Sequence, residues 1–488
     1  MNKHEIFLTD QALTVKGPEL PGLEKALTYK KKHMVQDPRN PRIMRSRTVP
    51  ERAFQKFEED DLTVLVTLPG FLNRVMRALA LSGSTPVICD TRRKLPPPAL
   101  NRMHGFRFDQ ENMTRTLLSK DQSGILKAVT RYGKTAIIAN VINAYPGLRI
   151  LLIAPGVDLL PQLCEKVKEY CPDRKVAGVF SGSTIRAQDP DVIVASPDSL
   201  HKVGYTGWGL VLVDEPHAVV TEGRLSQLLR FNARKLAFGA TTEGRFDGTD
   251  ILIEGVFGNI LVEKTYKEAR AEGAICPIRA IFTRVPFSPD NMSVLSAAYK
   301  RLFASKEFKT AFKHIEAQIP KSWQTLFFVS DEKSGNAIVE LTPGSCLAMD
   351  KLMKNKKERR DFFADLNAGS VVRCVCSNIY STGVTIDNIR AVVNCAQGGA
   401  NILSIQKPGR LAEIKPDKDY GLLVDWEFYP VDKNGKELTM EEAKNDRSYD
   451  KTVWSIIMNG ARERIKCYRE IGYDVRIAQD YTEFTKHL

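Results

Sequence analysis

Short apolar runs ending in small or polar residues recur along the chain from about Leu148, separated by longer amphipathic stretches. A first series reads LRILLIAP (148–155), DVIVASP (191–197), LVLVDE (210–215) and KLAFGAT (235–241). A second reads TLFFVS (325–330), VVRCVCS (371–377), AVVNC (391–395) and GLLVDW (421–426). Continuous Val/Ile/Leu runs without alternation predict strands buried on both faces, as in parallel sheets covered by helices. Two series predict two α/β layers. Their joint is expected between Ile281 and Asn291, where TRVPFSPDN carries two prolines.

Before Gly105 the texture changes. LTVLVTLP (62–69) reads as a strand, FLNRVMRALALSG (71–83) as a helix ending at a Gly cap, and Pro96, Pro97 and Pro98 as a linker. After Tyr429 a charged stretch leads into residues 452–472, whose apolar spacing predicts one amphipathic helix packed on the body. No internal repeat or low-complexity tract is visible. With 488 residues the chain has room for about three domains. Its 43% hydrophobic and 26% charged residues are those of a folded protein. No stretch approaches a spanning helix, and the N-terminal residues lack the apolar core of a secretory signal. Nine cysteines without a CxxC pair read as reduced structural thiols of a cytosolic protein, with no zinc and no disulfides; Cys374 and Cys376 are expected on opposite faces of a strand.

Charge narrows the partner. Lys plus Arg number 71 against 58 Asp plus Glu, a net +13, which favours a polyanion, nucleic acid first. The surplus is concentrated over 28–52, where Lys30, Lys31, Lys32, Arg39, Arg42, Arg45, Arg47 and Arg52 face only Asp37 and Glu51. That stretch reads as a duplex-binding surface, with a solvated loop as the plainer alternative. The basic run at 351–360 reads as a solvated helix face. Trp208, Trp323, Trp426 and Trp454 read as packing residues, and His104 and His201 receive no role.

The segment AVTRYGKTAII (128–138) carries the candidate chemistry. A tight turn entering a helix points backbone N–H groups at phosphates, and the helix dipole favours the same charge. Lys134 would reach the β/γ-phosphates and the Thr135 hydroxyl would ligate Mg²⁺. The full pattern GxxxxGK[ST] asks for Gly at 128, where Ala128 stands. Further on, VLVDEPH (211–217) is a buried strand ending in adjacent carboxylates. Asp214 can hold Mg²⁺ and Glu215 can orient or deprotonate water, although an acidic strand-to-helix cap would look the same. His217 follows directly.

In order and spacing these motifs resemble the superfamily 2 DExH-type helicases, most closely the UvsW-like phage branch-migration helicases. The resemblance covers about 105–430. FRFDQ (106–110) looks like the aromatic-plus-Gln motif that reads adenine, which implies Phe108 and Gln110 as nucleotide contacts. TRYGKT is similar to motif I, implying Thr130, Arg131, Tyr132, Gly133, Lys134 and Thr135 around the phosphates. LLIAPGVDLLPQL (151–163) and DVIVASPDSL (191–200) look like motifs Ia and Ib, implying nucleic-acid contacts at Pro155, Gly156, Ser196 and Pro197. DEPH resembles the DExH box, and AFGATTEGRFDG (237–248) the coupling motif III. TLFFVSDEKSGNAI (325–338) resembles motif IV, and 356–386 runs from a basic helix through motif V, with Ser377 toward nucleic acid and Gly383 toward nucleotide. SIQKPGRLAE (404–413) resembles motif VI, implying Gln406 and Arg410 as catalytic residues facing ATP.

The implied architecture is α/β: two tandem RecA-like parallel-sheet domains (105–282 and 283–430), a small basic N-terminal α+β domain (1–104) and a C-terminal helical extension (431–488). The implied function is an ATP- and Mg²⁺-dependent DNA helicase or translocase acting on branched or annealed duplex in recombination, repair or replication restart. It would work as a cytoplasmic monomer without a membrane partner, in a bacterial host if phage-encoded. Three departures stand out. Glu413 replaces the second motif VI arginine, Thr385 replaces the motif V acid, and Arg131 sits within the phosphate loop. A catalytically weak nucleic-acid clamp and an RNA-remodelling helicase remain the alternatives.

Overall fold

The computed structural model describes residues 4–19, 21–37, 40–120, 122–156, 160–180, 183–241, 248–288, 295–348, 356–377, 386, 388–396, 408–432, 434–439, 442 and 451–488. The chain divides into two compact units: Met1–Asp37 with Met44–Thr265, and Pro38–Ile43 with Tyr266–Leu488.

The first unit opens with strands β1 (Glu5–Leu8) and β2 (Leu13–Gly17), then β3 (Thr28–Asp37) and all but residues 40–43 of β4 (Asn40–Arg52); β3 and β4 pair as a two-stranded ribbon. Strands β5 (Phe54–Glu59), β6 (Leu62–Thr67) and β7 (Val87–Asp90) complete a five-stranded sheet in the order β5-β6-β2-β1-β7. The eight-stranded sheet follows: β8 (Gly124–Ala128), β9 (Ile150–Ile153), β10 (Val176–Phe180), β11 (Ser183–Ile185), β12 (Val192–Ala195), β13 (Leu210–Asp214), β14 (Arg234–Gly239) and β15 (Ile260–Lys264). Its order is β11-β10-β12-β9-β13-β14-β8-β15, parallel except at the β11 edge. All four runs of the first sequence series are central strands here.

The two sheets share one core. Ile6, Leu13 and Val15 of the small sheet and Phe71 and Val75 beneath it belong to the same buried cluster as Leu252, Val256 and Phe257. At Gly70 the turn Pro69–Phe71 meets helix Ile251–Phe257 backbone to backbone: a Cβ there would lie 2.0 Å from the Glu254 carbonyl oxygen. Lys235, buried on β14, donates its ammonium to the carbonyls of Asp10 (2.5 Å), Phe231 (2.8 Å) and Ala233 (3.2 Å).

Burial pushes the Lys235 ammonium down to about 8, against the opposing pull of Asp10. Between pH 8 and its ordinary value of 10.5 the unfolded chain therefore holds more protons at this site. The contribution to stability rises with pH across that window, by up to about 3 kcal/mol. In unfolding measurements on the parent and Lys235→Met, this rise is expected in the parent only. Parallel pH profiles would remove Lys235 as its source.

The second unit holds β16 (Ile278–Phe287), β17 (Gln324–Val329), β18 (Cys346–Ala348), β19 (Arg373–Cys376), β20 (Ile389–Cys395), β21 (Gly421–Pro430) and β22 (Asp474–Ala478). They form a parallel sheet in the order β18-β19-β17-β20-β21-β16-β22. All four runs of the second series lie in it.

Three expectations need correction. The joint expected near 282 lies inside β16, and the units divide between Thr265 and Tyr266. Pro286 is tolerated there because the flanking Phe287 carbonyl bonds the β21 side, so Pro286 faces the other way, beyond the last β22 pair at Thr283. Second, the C-terminal extension is not only helical: after helix Lys451–Ile471 the chain returns as β22, an edge strand beside β16. Third, Cys374 and Cys376 share a face of β19, because positions two apart in a strand point the same way. All nine cysteines are free thiols. Trp208 and Trp426 are buried and Trp323 is half-buried against Tyr420, while the Trp454 side chain lies outside the described residues.

Candidate functional site

The candidate phosphate loop begins where β8 ends. Ala128, in the place of the expected glycine, is still paired with Lys264 of β15 in extended backbone, so that position demands no glycine. Left-handed backbone comes later, at Arg131 (φ 72°) and Gly133 (φ 89°). Gly133 is required twice over, since a Cβ would also meet Gln110 Nε2 at 2.5 Å. Helix Lys134–Ala144 starts here with no side chain capping it, leaving first-turn N–H groups directed at the loop. Lys134 and Thr135 are its first two residues, and Thr130 is half-buried in the turn before it.

Gln110 is buried and braces this loop. Its Nε2 donates to the Tyr132 carbonyl (2.7 Å), and its Oε1 accepts from the Arg107 N–H (2.9 Å). Both ends of the amide expected to read adenine are thus engaged within the protein. Phe108 is 51% exposed, in left-handed backbone (φ 51°), its ring 6.4 Å from that of buried Tyr132. The sequence reading missed Lys264, whose ammonium is 2.7 Å from Asp109 and tethers the same segment. A lysine closing an apolar run was its only signal.

The acidic pair lies one strand away, because β14 alone separates β13 from β8. Asp214 ends β13, and Glu215 follows in left-handed backbone (φ 48°), its N–H donating to the Phe238 carbonyl of β14 (2.8 Å). Pro216 then opens the short helix Pro216–Val219 and packs at Gly239, where a Cβ would meet its ring at 2.9 Å. Lys134 Nζ stands 3.6 Å from Glu215 Oε1 and donates to the Ala128 carbonyl (3.4 Å). On the other side, His217 Nδ1 is 3.5 Å from Glu215 Oε2. Burial, then the neighbouring Glu215 carboxylate, pushes the Asp214 carboxyl up to about 7. Two crowded acids balanced by one lysine leave negative charge that a hard cation would neutralise. The Asp214 carboxylate and the Thr135 hydroxyl are oxygen donors of the kind Mg²⁺ takes.

The expected nucleic-acid residues divide. Pro155 and Gly156 follow β9, with Gly156 exposed at φ 84°. Ser196 and Pro197 are buried: Ser196 is 2% exposed and its hydroxyl bonds Ser199 (2.8 Å), so both support the turn and present no side chain to a ligand. The Ser377 hydroxyl, beyond β19, is also buried. Lys30, Lys32 and Arg47 are exposed on the ribbon. Lys31 is not a spare cation, because its ammonium sits 2.6 and 2.7 Å from the two Glu222 carboxylate oxygens. The side chains of Arg42 and Arg45, and all of Arg39, Gly383 and Gln406, lie outside the described residues. Arg410 is in the second unit, buried in the turn Arg410–Ala412.

Known proteins share parts of this sequence and fold. Residues 103–244 match the family described as "Type III restriction enzyme, res subunit". The chain is 24% identical to the putative ATP-dependent helicase IRC3 of Saccharomyces cerevisiae, over 60% of this chain and 47% of that protein. It spans about half the length of the curated relatives it matches. Its fold is shared with the ATP-dependent Type ISP restriction-modification enzyme LlaBIII bound to DNA, at TM-score 0.54 and 14% identity, over 79% of this chain and 32% of that one. T4 UvsW aligns over 98% of this chain and 99% of its own at 17% identity, but at TM-score 0.41, too low to argue fold. By its motifs and its matched domain, the chain is similar to the superfamily 2 DExH-type helicases.

Proposed function

We propose that this protein is a nucleic-acid-stimulated ATPase acting as a DNA helicase or translocase, which remodels branched or annealed duplex in recombination, repair or replication restart. The observation that carries the reading is Lys134 beside Glu215 (3.6 Å), with Asp214 adjacent, at the mouth of an uncapped helix N-terminus. The loop 130–133 and the helix N–H groups receive the phosphates, and Lys134 binds the terminal ones. Glu215 orients and deprotonates the attacking water, with His217 Nδ1 beside it at 3.5 Å. Thr135 and Asp214 would hold Mg²⁺, which when bound neutralises charge developing on the phosphoryl oxygens. Phe108 offers an exposed ring to the base, while Gln110 sets the loop. Arg410, Gln406 and Gly383 enter on motif order alone.

Lys30, Lys32 and Arg47, with Arg39, Arg42 and Arg45 from the same ribbon, supply phosphate contacts, as does the backbone at Pro155 and Gly156. The choice of DNA rests on the motif resemblance, since folds of this kind include both DNA-bound LlaBIII and RNA-bound Dbp5 of Saccharomyces cerevisiae. A cytoplasmic monomer of phage origin fits the motif resemblance, and none of the described helices is long and apolar enough to cross a membrane. One observation favours the clamp alternative. The Glu413 carboxylate accepts from the Asn388 N–H (3.1 Å) and lies 3.3 Å from Lys415, so the place of the second motif VI arginine serves local structure.

ATP turnover measured across single-stranded, forked and duplex DNA and matching RNAs tests the proposal. Stimulation by DNA that declines as salt rises is the expected result, because phosphate contacts release counterions. Absence of stimulated turnover with every ligand would end the motor reading. Greatest stimulation by RNA would move the substrate.

A further inference from the structure

The ribbon is anchored to the nucleotide site through one short helix. Helix Glu222–Leu229 begins seven residues after Glu215, directly beyond the helix Pro216–Val219. Its first residue, Glu222, grips the ribbon base: both carboxylate oxygens accept from the Lys31 ammonium (2.6 and 2.7 Å), and the Tyr29 hydroxyl lies 3.4 Å away. Its third residue, Arg224, donates to the Ala218 carbonyl (3.1 Å) and to Asp198 (2.6 Å). Ala218 belongs to the segment carrying Glu215 and His217, and Asp198 to the turn after β12. Gly248, beyond β14, also packs on the ribbon; a Cβ there would meet the Lys30 carbonyl oxygen at 2.4 Å. The ribbon base is therefore held by the stretches that follow both β13 and β14, the strands that place Glu215 and anchor its N–H.

We propose that the Lys31–Glu222 pair is a coupling contact, through which nucleic acid on the basic ribbon positions Glu215 for hydrolysis. Glu222 is on this view a positioning residue, and Lys31 serves as the ribbon's link to it rather than as a phosphate contact. The inference rests on the ATPase reading above. Its physical basis is rigidity. Backbone packing at Gly248 holds the ribbon base in place, whereas the ion pair links the ribbon to the helix so that the two shift together. Phosphate binding along the ribbon then biases the position of Ala218 and, with it, of Glu215.

The test compares the full-length parent, Glu222→Ala and the charge exchange Lys31→Glu with Glu222→Lys. ATP turnover is read without nucleic acid and at saturating forked DNA, with DNA affinity and thermal unfolding measured alongside. Glu222→Ala is expected to keep basal turnover, DNA affinity and unfolding temperature, while stimulation at saturation falls about fivefold or more. The charge exchange is expected to restore most of the stimulation. Unchanged stimulation in Glu222→Ala would overturn the proposal, as would a loss of basal turnover equal to the loss of stimulated turnover. Failure of the exchange to restore stimulation would also count against it. A parent protein without any DNA-stimulated turnover would instead refute the ATPase reading on which the coupling depends.

Discussion

Glu215→Gln is expected to stop ATP turnover while leaving the nucleotide bound, and Lys134→Ala to lose both. The two residues face each other at 3.6 Å across the same small space, yet their chemistry differs. An amide at 215 keeps the size and hydrogen-bonding reach of the side chain but cannot take a proton from water. Loss of a general base costs roughly 10²–10⁴ in rate. Removing the Glu215 charge also frees Lys134 from its ion pair, so ATP should bind Glu215→Gln at least as tightly as the parent. Lys134→Ala removes the charged donor to the phosphates, and affinity should fall by about 10- to 100-fold. Phosphate release and titration with a fluorescent nucleotide separate the two effects. Parent-like turnover in Glu215→Gln would take the base role away from it.

The second large effect concerns stability and lies in the other unit. Arg464→Met is expected to destabilise that unit by about 3–5 kcal/mol, because it strands a buried carboxylate. The Asp425 side chain is fully buried in β21, and Arg464 reaches it from helix Lys451–Ile471 with Nε at 2.8 Å and a second nitrogen at 3.0 Å. The Asn394 amide adds a third bond at 3.2 Å and the Trp426 N–H a fourth at 2.8 Å. Neither carries the charge needed to offset desolvation. The pair also ties the C-terminal helix, and β22 after it, to the sheet. Hydrogen exchange should therefore accelerate over 421–430 and 451–478 together. Replacing both partners, Asp425→Leu with Arg464→Met, should recover part of the loss, since an apolar pair strands no charge. Exchange and unfolding of Arg464→Met that match the parent would show that the ion pair does not hold the helix.

Much of this architecture was legible in the residues alone, for a definite reason. Central strands of a parallel sheet are buried on both faces, so runs such as LVLVD and QTLFFV declare themselves without knowledge of their neighbours. The loop before Lys134 and the acids after β13 are also local signals, because backbone geometry and adjacent charge act over a few residues. Edge and mixed strands were not legible: β15, β18 and β22 are short or amphipathic, and only pairing with a partner makes them strands. Pro286 misled for the same reason, since a proline breaks a ladder only on the side where a partner exists.

Charge shows the limit most clearly. The sequence determined that 28–52 carries a surplus of cations, but a lysine's partner depends on what the fold brings beside it. Lys31 meets Glu222, 191 positions further along the chain, and Ser196 and Pro197 turn inward under their own strand end. Local order thus specified the strands and the turn before Lys134 through short-range sterics and burial. Tertiary packing decided which polar groups are spent inside the protein and which are left to meet a ligand, because that depends on distances no linear spacing encodes.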